Sequence, residues 1–120
     1  MSEPSHTDGQ INDWIDGYTA TATRWAELRE DSKAANRVFE ENHGLYKLLR
    51  GSEEGRSAIA HLMGHPSVGV QLLAATHSLG WKPERATAIL REIESRDELY
   101  AVDAKWTLRS YDAGTLDLDW

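Results

Sequence analysis

Apolar residues along this chain recur every three or four positions and almost nowhere every two, which is the periodicity of helices with one buried side. Trp14, Tyr18, Ala22, Trp25 and Leu28 form the first such stripe and predict a helix over residues 11–29. Gly17 weakens its start by roughly 1 kcal/mol relative to Ala. A second stripe of Ala35, Val38, Phe39, Tyr46 and Leu49 follows Asp31, a suitable N-cap, and stops at Gly51, with Gly44 a candidate kink. Ser52, Glu53 and Glu54 give a third helix a capping oxygen and two carboxylates at the positive end of its dipole. Its apolar side is Ala58, Ile59, Leu62 and Met63, and Gly64 closes it.

Pro66 at the first helical position opens a fourth helix, with Val70, Leu73, Ala74 and His77 on one side and Leu72 and Leu79 on the next. Being apolar over most of its circumference, this helix is expected at the centre of the core. Gly80 ends it, and Pro83 starts a fifth helix carrying Ala86, Ile89, Leu90 and Ile93. Ser95-Arg96-Asp97-Glu98 reads as a capping box for a sixth, whose inner edge is expected to be Leu99, Val102, Trp106 and Arg109. After Tyr111 the pattern changes to alternation, with Leu116, Leu118 and Trp120 separated by acids. This predicts an extended tail with one apolar side lying along the helices. The expected architecture is all-α with about six helices in short antiparallel hairpins: a polar N-terminal tail (1–10), one helical domain (11–111) and an acidic extended tail (112–120).

The stretch His65 to Leu79, with Leu62 and Met63 before it, has the turn and the Val70, Ala74-Ala75 and Leu79 spacing that resembles the second helix of a HEAT-type repeat. Two positions depart from it. His65 stands where Asp is usual, and Gln71 where Arg is common, so the Asp-Arg ladder linking successive HEAT repeats is unavailable. From about Tyr18 to Leu118 the chain also resembles a bacterial family of small, single-domain, HEAT-like α–α superhelices of unknown function. The elements carrying this are Ala35-Asn36, residues 64–79, Pro83-Glu84-Arg85-Ala86, Asp103 to Leu108 and Ala113 to Leu116. The resemblance implies a short α–α superhelix and brings no catalytic residue with it. Related one-domain proteins act as immunity proteins beside secreted bacterial toxins, so it implies that role by analogy only.

Charge sharpens this picture once it is located. The net charge is -7, yet residues 20–109 are balanced; Glu3, Asp8, Asp13 and Asp16 at one end and Asp112, Asp117 and Asp119 at the other carry the excess. A nucleic-acid surface needs clustered Lys and Arg, so that partner class is not expected. Acidic ends suit a basic protein partner, set against the plainer reading that they aid solubility. The absence of cysteine removes disulfides and thiolate metal sites and makes a cytoplasmic setting the default. No signal peptide and no membrane span is expected.

Candidate chemistry is thin. His61 and His65 have the four-residue spacing of a zinc pair, but Gly64 and Pro66 place His65 in a turn and no third ligand is evident, so no metal is expected. His77 reads as a core residue, and Asn36 as a hydrogen-bonding partner of the neighbouring turn. Glu40-Glu41, Glu53-Glu54 and Asp97-Glu98 read as solvent-facing or capping acids rather than as an acid–base pair. No nucleophile elbow, phosphate loop or dinucleotide fingerprint is present, and neither catalysis nor a cofactor is expected. Trp14, Trp25 and Trp106 fall on apolar stripes, whereas Trp81 and Trp120 have no helix to bury them, and exposed Trp is enriched in binding hot spots. The expected function is non-enzymatic protein binding, with a basic toxin as the concrete partner. The contact residues would be Gln71, Trp81, Asp112, Asp117, Asp119 and Trp120; a structural adaptor is the alternative, and an enzyme of unrecognised type the third reading.

Overall fold

The computed structural model describes residues 8–28, 30–96 and 99–119. Six α-helices follow one another: α1 (Asp8–Glu27), α2 (Ser32–Leu49), α3 (Glu53–His61), α4 (Val68–Ser78), α5 (Pro83–Arg96) and α6 (Ala101–Asp112). A 3-10 turn, Leu62–Gly64, lies between α3 and α4, and no strand occurs among the described residues. The fold is all-α, as the periodicity predicts. The chain divides into two compact units, one ending at Ala58 and the other beginning at Ile59, so the boundary falls inside α3.

In the first unit α1 packs on α2. Ile11, Tyr18, Ala22 and Trp25 of α1 are buried, as are Ala35, Val38, Tyr46 and Leu49 of α2, each set spaced by three, four, seven or eight residues. Helix α1 begins at Asp8, ahead of the expected start at Ile11. Gly17 has a packing reason: a Cβ there would sit 3.2 Å from Leu45 Cδ1, so its absence admits the α2 side chain. Asp31 caps α2, its carboxylate accepting from the Ala34 N–H. Gly44 lies exposed on an uninterrupted helix. Ser52 Oγ accepts from the Gly55 N–H at 3.0 Å as the cap of α3.

In the second unit α5 packs on both α4 and α6. Helix α4 is buried nearly all round, from Gly69 and Val70 to His77 and Ser78, which makes it the core element its composition predicts. Two helix starts differ from expectation. Pro66 is not the first residue of α4: His65 and Ser67 are extended, and Ser67 caps the helix through Val70 N–H, which leaves Pro66 one position outside. Ser95 does not cap α6. It lies within α5, and its hydroxyl donates to the Glu92 carbonyl, while α6 opens at Tyr100 without a side-chain cap. The Asp97 and Glu98 of the expected capping box, Arg29 at the expected end of α1, and residues 1–7 of the expected N-terminal tail lie outside the described residues.

Candidate functional site

Helix α6 is apolar on two opposite sides. Tyr100, Ala104 and Leu108 recur every four residues and are buried, and Ala104 is small enough to let a neighbouring helix approach closely. Leu99, Val102 and Trp106, expected on the inner edge, instead face water at 58%, 60% and 58% exposure, and Arg109 is exposed with them. The correction has a simple cause. Rows three or four residues apart exist on both sides of this helix, and periodicity alone does not say which meets the core. On the outward side the Arg109 guanidinium lies 5.5 Å from the centroid of the Trp106 ring.

The C-terminal end of α6 sets the course of the acidic tail. Gly114 adopts φ 72°, a left-handed conformation that suits glycine, and its N–H donates to the Tyr111 carbonyl. The next N–H, of Thr115, donates to Ser110 at 2.9 Å, which completes a Schellman closure, and the Leu116 N–H adds a second bond to the same carbonyl. Beyond it the expected alternation is present: Leu116 and Leu118 are half-buried, Asp117 and Asp119 exposed. The two leucines line a cleft of about 250 Å³ with Leu79, Gly80, Tyr111 and Gly114. Asp117 also accepts from the Asp119 N–H at 2.8 Å, a local turn that stiffens the acidic edge.

The sequence-predicted contact residues are therefore only partly gathered. Asp112, Asp117 and Asp119 are exposed at the end of α6 and on the tail. Trp81 is half-buried and follows Gly80 of the cleft, beside a second hollow of about 340 Å³ that it lines with Lys82, Pro83, Glu84 and Arg85. Gln71 stands apart, eight residues and about 12 Å of helix before Leu79. Its Nε2 donates to the His65 carbonyl at 2.6 Å, while His65 Nδ1 accepts from the Ser67 N–H at 3.0 Å. Both side chains are thus engaged in holding the turn into α4. Trp120 lies outside the described residues.

Polar groups that reading the sequence overlooked are buried in the first unit. Asn36, expected to bond a turn, is exposed, and Asn42 is the buried one. Its Nδ2 donates to the Tyr18 carbonyl and to Thr21 Oγ1, both at 3.0 Å, which links α2 to α1. The signal was available, since Asn42 falls on the same stripe as Val38, Tyr46 and Leu49. His43 is also buried, with its ring 5.2 Å from that of Tyr46. Burial pushes the Tyr18 phenol well above its ordinary range, with a smaller contribution from Tyr46. Among the described residues no three His, Asp or Glu side chains gather as a metal site, and no helix is long and apolar enough to cross a membrane. His77 is buried on α4 at 2% exposure.

These features define a small all-α protein with an acidic C-terminal edge and an apolar row facing outward. The chain belongs to the family described as "Domain of unknown function (DUF2019)", which matches residues 18–112. No curated protein and no solved structure matches it. The match takes in all of α6 and stops where the tail begins, so Val102 and Trp106 lie inside the family region and Asp117 and Asp119 beyond it.

Proposed function

We propose that this chain is a non-enzymatic, cytoplasmic protein-binding module built of HEAT-like helical hairpins. Its most concrete role is that of a bacterial immunity protein that occupies a basic active site or groove on a toxin. The observation that carries the reading is the acidic edge. Asp112, Asp117 and Asp119 are all exposed, no Lys or Arg occurs in residues 110–120, and backbone hydrogen bonds at Ser110 and Tyr111 fix where the tail leaves α6. Carboxylates held in this way meet a cationic groove without a large ordering cost, and their field speeds encounter with it.

The test is co-expression with the product of the adjacent gene, followed by co-purification and a cell-survival assay. A complex that protects the cell supports the reading, and the Asp117→Asn/Asp119→Asn variant should then associate more slowly and with a flatter salt dependence. Absence of both complex and protection discards the immunity role. A structural adaptor is the second reading, favoured by the outward row of α6, which requires no basic partner.

A further inference from the structure

The cleft at the tail is lined by Leu79, Gly80, Tyr111, Gly114, Leu116 and Leu118, and no charged residue is among them. Its volume of about 250 Å³ falls below the roughly 300–1,000 Å³ of pockets that enclose a small-molecule ligand, and it suits a single large apolar side chain. The rim carries one sign of charge. Asp112 follows Tyr111, Asp117 stands between Leu116 and Leu118, and Asp119 follows Leu118, all three exposed. Of the cations nearest along the chain, Arg109 stacks on Trp106, about 200° around α6 from Tyr111, and Lys82 lines the second hollow. Neither adjoins a lining residue directly in the chain, as all three carboxylates do.

We propose that this cleft seats one apolar side chain of a basic segment on a protein partner, whose flanking lysines or arginines meet Asp112, Asp117 and Asp119. The proposal rests on the reading of the chain as a module for a basic partner and names how that partner is anchored. Asp117 and Asp119 are two residues apart on extended chain, about 7 Å, which is within the screening length of about 8 Å at physiological salt. A cation of the partner therefore feels both. The net charge of -7 draws the same kind of partner from a distance. Charge alone would hold any cationic surface; the cleft adds the requirement for an apolar residue between the charges. Such a contact has a desolvated centre inside a polar rim, the arrangement in which one anchoring side chain carries most of the affinity.

The probes are three synthetic peptides of equal length, titrated calorimetrically into the full chain at low and at physiological salt. One carries a leucine between lysines; the second has serine for the leucine, and the third has glutamates for the lysines. The first should bind about tenfold more tightly than the second or better, the effect of burying one leucine side chain, and the third should not bind detectably. Leu118→Ser should weaken the leucine peptide by a similar factor and leave the serine peptide where it was. Asp117→Asn/Asp119→Asn should weaken both lysine peptides together and flatten their salt dependence. Because the leucine-to-serine change is also made in the peptide, it reads the cleft even where Leu118→Ser loosens the tail. Equal binding of the leucine and serine peptides, a glutamate peptide that binds as tightly as the first, or no binding of any peptide overturns the proposal. So does leucine-peptide binding that appears only in Trp120→Ala, as a cleft taken by Trp120 itself would require. A protective complex with the adjacent gene product, without leucine selectivity, leaves the immunity role standing and removes the cleft; leucine selectivity without such a complex does the reverse.

Discussion

Asn42 of α2 donates both hydrogens of its amide to α1, one to the Tyr18 carbonyl and one to Thr21 Oγ1, each at 3.0 Å. Thr21 in turn donates to the Gly17 carbonyl at 2.8 Å, so every donor in this buried clip is used. The acceptor of the amide, Oδ1, has no hydrogen-bond partner among the described residues. The clip therefore holds the two helices in register at the cost of one desolvated oxygen.

Replacing Asn42 shows which side of that balance wins. Asn42→Ala is expected to lower stability by about 1–3 kcal/mol, through two lost hydrogen bonds and a small cavity. Asn42→Asp should cost more, because a buried carboxylate would face the Tyr18 carbonyl and a hydroxyl already committed to Gly17. Urea unfolding followed by circular dichroism ranks the two, and an Asp variant as stable as the Ala variant would contradict this account.

Two glycines should respond to the same substitution with opposite signs. A Cβ on Gly55 would overlap the backbone carbonyl of Leu49, which has no freedom to yield, so Gly55→Ala is expected to cost about 1–3 kcal/mol or more. Nothing lies within 4 Å of a Cβ on Gly44, and Gly44→Ala should stabilise by about 0.5–1 kcal/mol through helix propensity. Thermal unfolding of the pair, with melting temperatures moving in opposite directions, is the check.

Alkaline pH should loosen the first unit. The Tyr18 phenol is held well above its ordinary value by burial, so the folded chain keeps this proton where the unfolded chain releases it near the ordinary value of 10.0. The unfolded state then binds fewer protons, and stability is fully present below that pH and declines above it. Absorbance titration of the tyrosinate band should show one of the four tyrosines ionising only as the fold is lost, and Tyr18→Phe should flatten the stability profile above pH 10.0.

The Schellman closure of α6 can be loosened alone. Gly114→Ala places a Cβ at φ 72°, a strain of about 1 kcal/mol, although open space surrounds it. Hydrogen exchange at the Thr115 and Leu116 amides, both bonded to the Ser110 carbonyl, should accelerate by about fivefold or more, while α4 amides keep their protection. Acceleration spread evenly over the second unit would mean that the closure is part of its core.

What could be read from sequence follows a physical division. Asp31, Ser52 and Pro83 mark helix starts through local chemistry, and all three stand where they were expected. The alternation at Leu116 and Leu118 is equally local. The inner side of α6 is not, because Leu99, Val102 and Trp106 make as good a row as Tyr100, Ala104 and Leu108, and the choice between them is made by packing in the second unit. Pro66 misled for a related reason: proline suits the first turn of a helix, but Ser67 beside it offers a hydroxyl that takes the cap. At the candidate site, the exposure of Asp112, Asp117 and Asp119 was legible from charge placement. The engagement of Gln71 with His65 was not, since it depends on the path of a turn.

The tail is attached through Leu116, Leu118 and backbone bonds to Ser110, while Asp117 and Asp119 are exposed. Substitutions at those two positions are expected to change the charge of the edge at little expense to the fold, because surface changes away from packed features usually move stability by no more than about 0.5 kcal/mol. The charge of this edge is then free to vary in the lineage of such a chain while its helices stay under separate constraint.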